Sequence, residues 1–322
     1  MHLGFRIAST GSFFPETIQT AADLAPLIGK SERWITSRTG VLERRIADEH
    51  MDTMAAKAAR DALGDGPPPD LIVNASLTPM QLIPDSSVFV QRALGFEGIP
   101  SFSIHATCMS FLVAMHAVAG LVQGGAYKRV LVVSSERGSV CRDMDHPESA
   151  ALIGDGAAAA VFESANGADS GLLAWSMGTF PSGSELAQLP GCGTVRHPND
   201  PNTKPEDNLF RMRGPRLYKL AVHKVEAMVE ELLTSAGLNA SDIDLVVPHQ
   251  PSGPGLEAMR KRLDFPPDRI VDVIGQYGNC IAASMPMALD HAAKAGRIKR
   301  GDKILMIGMG AGVSIAGAIL RW

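Results

Sequence analysis

The feature that most constrains this chain is an order of landmarks that occurs twice. Asp70-Leu71-Ile72-Val73-Asn74 is a short apolar run behind the turn-rich segment GDGPPP, and Asp244-Leu245-Val246-Val247-Pro248 is a second such run. Each is followed by another strand-like stretch, 100–104 or 269–273, and then by a cysteine before a helix-like segment: Cys108 in HATCMSF, Cys280 in YGNCIAAS. The distance from Asp70 to Cys108 nearly equals that from Asp244 to Cys280. A charged strand entry comes next, Lys128–Val133 or Asp302–Ile307. Then come a glycine turn, 154–156 or 308–312, and a closing strand of small residues, AAAAVF or SIAGAIL. A repeat of whole element order implies duplication and a pseudo-two-fold core. Strands alternating with helical segments imply an α/β sheet, buried on both faces where the runs are continuously apolar. The halves divide as 1–170 and 171–322.

Helices are predicted over 52–63, 109–123 and 215–236, each stopped by glycine. Residues 181–210, rich in Gly, Pro, Asn and Asp, read as a long surface excursion, the kind of loop that covers sites.

The 322 residues suffice for a large core, and 45% hydrophobic with 20% charged residues is ordinary for a globular protein. A net charge of -4 gives no nucleic-acid footprint. We expect no signal peptide, no membrane span and no metal site. Four cysteines, Cys108, Cys141, Cys192 and Cys280, are too few for a disulfide framework, and a cytoplasmic location is expected.

Three polar residues stand in three turns. Cys108 lies where a strand gives way to a helix, and free N–H groups and the helix dipole there are expected to lower a thiol pKa. A buried structural cysteine is the plainer alternative. His249 follows a buried strand, at the carboxyl end where ligands of open sheets gather. It can serve as a base, as a donor or as a core residue. Asn279 can donate to an oxyanion or cap the following helix.

Taken together, the turn ATCMSF, the segments DLVVPHQ and YGNCIAASMPMAL, and the ending GMGAGVSIAGAILRW resemble ketoacyl-ACP synthase III of the thiolase superfamily. SERWITSRTGVLERRIA and LIGDGAAAAVF add to this, so the resemblance spans essentially the whole chain. It implies a thiolase fold, whose duplicated halves form a five-layered αβαβα core, and a homodimer. It also implies a condensing enzyme. Cys108 accepts an acyl group from acyl-CoA, and His249 and Asn279 stabilise the enolate formed as malonyl-ACP, or malonyl-CoA, loses carbon dioxide. The backbone N–H groups of Cys108 and Ala311 form an oxyanion hole.

No permanently bound cofactor is implied; coenzyme A thioester is substrate. Trp34 and Arg38 match the positions that meet the adenine end of CoA. Ile83 matches the position where the partner subunit limits the acyl pocket, and Lys219, Lys261 and Arg262 match basic positions that meet an acyl carrier protein. The chain departs from the family pattern at Met109-Ser110 after the cysteine, and at Pro147 and Pro254, which stand where the family carries arginines. Arg211 or Arg213 is a candidate to compensate. Two other reactions compete with this reading. One is acyl transfer from Cys108 to an alcohol or amine. The other is a non-decarboxylative Claisen condensation, which requires a carboxylate near the nucleophile. The loop NASLTPMQLIPDSS offers only Asp85.

Overall fold

The computed structural model describes residues 3–165 and 170–322. The division proposed at residue 170 abuts 166–169, outside the described residues. Nine strands and seven helices position the site. In chain order they are β1 (Phe5–Phe13), α1 (Glu32–Thr39), α2 (Met51–Leu63), β2 (Leu71–Asn74), α3 (Ser86–Leu94), β3 (Ser101–Ser103), α4 (Ser110–Gln123), β4 (Arg129–Arg137), β5 (Asp155–Ser164), β6 (Gly171–Thr179), α5 (Gly214–Ala236), β7 (Leu245–Pro248), α6 (Gly253–Leu263), α7 (Ser284–Lys294), β8 (Lys303–Gly310) and β9 (Ser314–Arg321).

The duplication is visible in the sheets. The first has the order β1-β5-β4-β2-β3 and the second β6-β9-β8-β7. The first sheet has two parallel ladders (β2 with β4 and β2 with β3) and the second has one (β7 with β8), while the ladders to β5 and β1, or to β9 and β6, are antiparallel. The strand predicted at 269–273 shrinks to one bridge between Val246 and Ile270, the counterpart of β3. Helices α4 and α7 touch both sheets, α2 covers the outer face of the first and α5 that of the second. The layers therefore run helix, sheet, helix, sheet, helix, as expected.

Small residues allow the layers to close. Helix α2 buries Ala55, Ala58, Ala59 and Ala62 against Ala157, Ala159 and Val161 of β5. The predicted glycine turns instead belong largely to strands: β5 begins at Asp155 and β8 runs through Gly308 to Gly310. Glycine there serves close packing. The excursion at 181–210 has a closed base, a two-residue ladder pairing Ala187 with Met212 and Gln188 with Arg211. Among the described residues, no helix is long and apolar enough to cross a membrane.

Candidate active site

Cys108 sits in a tight turn ahead of α4. Thr107 adopts φ 52°, and Ser110 locks the turn by accepting from the Ala106 N–H (2.9 Å) and donating to the Thr107 carbonyl (2.7 Å). The second half repeats the device at Ile281, φ 51°, three residues ahead of Ser284 as Thr107 is three ahead of Ser110. This register corrects the sequence reading. The counterpart of Cys108 is Ala282, not Cys280, whose buried thiol donates to the Tyr277 carbonyl at 3.5 Å.

Strand β8 brings the halves together. A methyl group on Gly308 would lie 2.6 Å from His249 Cβ and 2.8 Å from Met109 Cε; one on Gly310 would lie 3.3 Å from the Cys108 nitrogen. The bulky Met109 of the first turn is thus accommodated by a glycine on the facing strand. Beyond Gly310, the Ala311 N–H points at the Cys108 sulfur and the Ala311 carbonyl accepts from Thr107 Oγ1 at 3.3 Å.

Asn279 is oriented by its own turn. Its side-chain oxygen accepts from the Ile281 N–H (2.8 Å) and from Ser284 Oγ (3.3 Å). That leaves the amide NH2 as the outward group, with one contact at 3.4 Å to the carbonyl of Pro251, two residues past His249. Capping and donation, alternatives in the sequence, are therefore compatible: the oxygen caps and the nitrogen is available. His249 is 3% exposed, and its Nδ1 has no hydrogen-bond partner among the described residues. Burial drives its pKa down to about 4, so the imidazole is neutral. Gln250, fully buried, braces this turn by donating to the Pro248 and Val271 carbonyls and accepting from the Val273 N–H.

The expected lowering of the Cys108 pKa is not found. Cys108 as a residue is half-buried, but its sulfur is enclosed; desolvation and the nearby Glu136 carboxylate push the thiol up to about 12, against the N–H groups of Ala311 and Cys108 itself. Desolvation outweighs the local dipoles because the turn packs against the central core cluster at the start of α4, between the sheets. Glu136, at the end of β4, escaped sequence reasoning. It is fully buried, and its carboxylate accepts from Leu77 N–H (2.5 Å), Thr78 N–H (3.1 Å), Thr78 Oγ1 (2.7 Å) and the Ala282 N–H. Burial raises its pKa to about 7. The carboxylate near the nucleophile is therefore this anchored one. Asp85 is spent on capping α3 and accepting from Ser103.

The peripheral candidates scatter. Arg38 is exposed on α1 and lines an opening with Thr39, Glu148, Tyr218, Ser252 and Pro254. Trp34 does not line it; it packs on a small cluster with Lys30 Nζ 5.4 Å from its ring. Arg211 is bound to Asp143 at 2.7 Å, which removes it as a replacement for the missing arginines, while Arg213 is exposed. Ile83 is 83% exposed, and Leu82, Val88 and Phe102 are exposed apolar residues as well. Lys219 on α5 and Lys261 and Arg262 on α6 are exposed on adjacent helices, but Lys261 pairs with Glu257 (3.3 Å) and Arg262 with Glu226 (2.8 Å).

Comparison with known proteins follows the same lines. A family model described as 3-oxoacyl-(acyl-carrier-protein) synthase III matches residues 102–181, and one for the C-terminal part of that enzyme matches 233–322. The chain is 35% identical to the beta-ketoacyl-(acyl-carrier-protein) synthase III of Aquifex aeolicus, over 99% of this chain and 100% of the relative. It is also 35% identical to that of Methylococcus capsulatus, over 98% of each. The crystal structure of the Aquifex aeolicus enzyme superposes with a TM-score of 0.90 over 99% of this chain and 100% of that one. The priming beta-ketosynthase of the R1128 polyketide pathway, 29% identical, also gives 0.90, over 99% and 96%.

Proposed function

Because the chain belongs to the 3-oxoacyl-ACP synthase III family, we propose that it loads an acyl group from acyl-CoA onto Cys108 and extends it by decarboxylative condensation with a malonyl thioester, malonyl-ACP in the first place. The observation that carries this reading is the meeting of the Cys108–Met109 turn of the first half and His249 of the second across β8. The Ala311 N–H there lies on the Cys108 sulfur and the Asn279 amide stands beside the His249 turn.

In the loading step the sulfur attacks the thioester carbon, and coenzyme A leaves as its thiol. With the thiol pKa near 12, the nucleophile is not a standing thiolate. Its proton leaves during attack, with the neutral His249 imidazole as acceptor. The carbonyl oxygen that becomes negative is held by the N–H groups of Cys108 and Ala311. In the extension step the C2–carboxylate bond of the malonyl thioester breaks, carbon dioxide leaves, and the electron pair forms an enolate. Two neutral donors, His249 and the Asn279 NH2, hold its oxygen; one such donor is worth roughly 10²–10³ in rate. C2 then bonds to the acyl carbon and the Cys108 sulfur leaves. The buried, neutral His249 suits this step, since an imidazolium would spend its charge on the departing carboxylate.

On this reading CoA enters along the opening past Arg38, Trp34 lies one helical turn before Arg38 on α1, and no cofactor stays bound. Two prolines in place of arginines leave the adenine end weakly held. The Lys219, Lys261 and Arg262 faces receive an acyl carrier protein, and the enzyme works in the cytoplasm as a homodimer with Ile83 limiting the partner's acyl pocket. The division 1–170 and 171–322 assigns the nucleophile to the first half and both enolate donors to the second.

Intact-protein mass spectrometry against a panel of acyl-CoAs, followed by malonyl-ACP, tests the reading. A mass gain on Cys108 that discharges as beta-ketoacyl product supports it. A mass gain that discharges only to an alcohol or amine would replace it with simple acyl transfer.

A further inference from the structure

The two halves match residue for residue beyond their turns. Leu71 of β2 stands opposite Val130 of β4, and Leu245 of β7 stands opposite Ile304 of β8. Counted from those pairs, Glu136 on β4 and Gly310 on β8 occupy the same position, and each faces the turn of the other half. A side chain on Gly310 would bring its Cβ 3.3 Å from the Cys108 nitrogen. At Glu136 the side chain is present, and its carboxylate accepts from the Ala282 N–H, the counterpart of the Cys108 N–H. One half thus keeps room for an incoming oxygen where the other holds a carboxylate of its own.

The carboxylate braces a strained turn. Its other donors are the Leu77 N–H, the Thr78 N–H and Thr78 Oγ1, and none of the four is a cation. Ile281 is β-branched and sits at φ 51°, a conformation such residues avoid unless their surroundings impose it. Here two bonds impose it. The Ile281 N–H is held by Asn279 Oδ1 at 2.8 Å, and the next N–H along, that of Ala282, is held by Glu136. The first of these bonds also orients the Asn279 side chain. Glu136 therefore governs where the Asn279 NH2 points, through the Ile281–Ala282 peptide and without touching Asn279.

We propose that Glu136 is a positioning residue for the extension step: from the mirror-related turn it pins the Ile281–Ala282 peptide and so fixes the aim of the Asn279 NH2 at the enolate oxygen. The inference rests on the extension reaction proposed above. The charge of Glu136 acts in the opposite sense on loading. It reaches the thiols of Cys108, Cys141 and Cys280 and disfavours the thiolate at each. Neutralising Glu136 therefore moves the two half-reactions apart, whereas general damage to the fold lowers both.

Two variants and two measurements test it. Glu136→Gln keeps the shape, removes the charge and leaves at least one of the four donors without an acceptor. Thr78→Val removes one donor, Thr78 Oγ1, and is the milder change. Single-turnover mass spectrometry follows Cys108 acylation and its discharge by malonyl-ACP separately. Hydrogen–deuterium exchange of a peptide covering 278–285 reads the turn without any reaction. Glu136→Gln is expected to load at the wild-type rate or faster, to extend at least tenfold more slowly, and to exchange the turn amides at least tenfold faster. Thr78→Val is expected to slow extension and speed exchange at least threefold, with loading unchanged; should Glu136→Gln fail to fold, this variant decides. Extension within twofold of wild type in a folded Glu136→Gln would overturn the proposal, as would loading and extension falling together in either variant. If the wild-type enzyme loads but does not extend, the extension reading fails and exchange decides alone: faster exchange in the variants upholds Glu136 as the anchor of the turn, and unchanged exchange removes it.

Discussion

On the proposed function, Cys108 reacts by losing its proton during attack and not as a preformed thiolate. A thiol near pKa 12 is almost wholly protonated at neutral pH, and iodoacetamide reads thiolate and exposure together. Cys192 is exposed while Cys280 is buried, and burial raises the Cys141 pKa to about 11. Sub-stoichiometric iodoacetamide should therefore label Cys192 before Cys108, whereas acyl-CoA should acylate Cys108 alone; peptide mapping checks both. His249 gives a pH signature. Its folded pKa of about 4 lies below the ordinary 6.5, so as pH falls through that window the unfolded chain takes up the proton first and stability drops. Glu136 works the other way, losing stability as pH rises from 4.5 towards 7, and does so equally in a His249 variant. Urea titrations at pH 6.5 and 4 should show wild type losing more than His249→Asn, by something on the order of 3 kcal/mol. Equal losses would mean that the imidazole is not held neutral by burial.

At the scale of elements, β8 is the piece that turns two halves into one site. Gly308→Ala drives a methyl group into His249 Cβ and Met109. The expected cost is about 1–3 kcal/mol of stability, from overpacking, together with loss of Cys108 acylation. Denaturant titration and mass spectrometry measure the two, and full acylation in a stable variant would contradict the packing described. Much of this was legible beforehand. The helices at 52–63, 109–123 and 215–236 lie within a residue of their observed bounds, because apolar runs ending in glycine carry their own stop signals. What escaped was register and depth. Counting to Cys280 put the second turn two residues early, since only backbone geometry shows that Ile281 matches Thr107. Glu136 lies beyond the strand read at Lys128–Val133 and drew no reading, because nothing in its neighbours reveals four donors arriving from Leu77, Thr78 and Ala282. The thiol pKa was misjudged for the same reason: a helix start is local, but desolvation is set by every layer above it.

At the scale of the whole molecule, the exposed Leu82, Ile83, Val88 and Phe102 suit a surface covered by a second copy of the chain. Ile83→Asp should shift sedimentation from dimer towards monomer, and an unchanged sedimentation profile would count against that face. The central claim is that the pseudo-symmetric core joins two half-reactions, one served by the first-half cysteine and the other by second-half donors. Asn279→Ala separates them, because loading uses the thiol and backbone N–H groups while enolate formation uses the Asn279 amide. The decisive measurement is single-turnover mass spectrometry of this variant, following acyl-Cys108 formation and then its discharge by malonyl-ACP. The account predicts acylation within a fewfold of wild type and condensation slowed roughly 10²–10³-fold. Condensation at the wild-type rate, or loss of acylation in parallel with condensation, would contradict it.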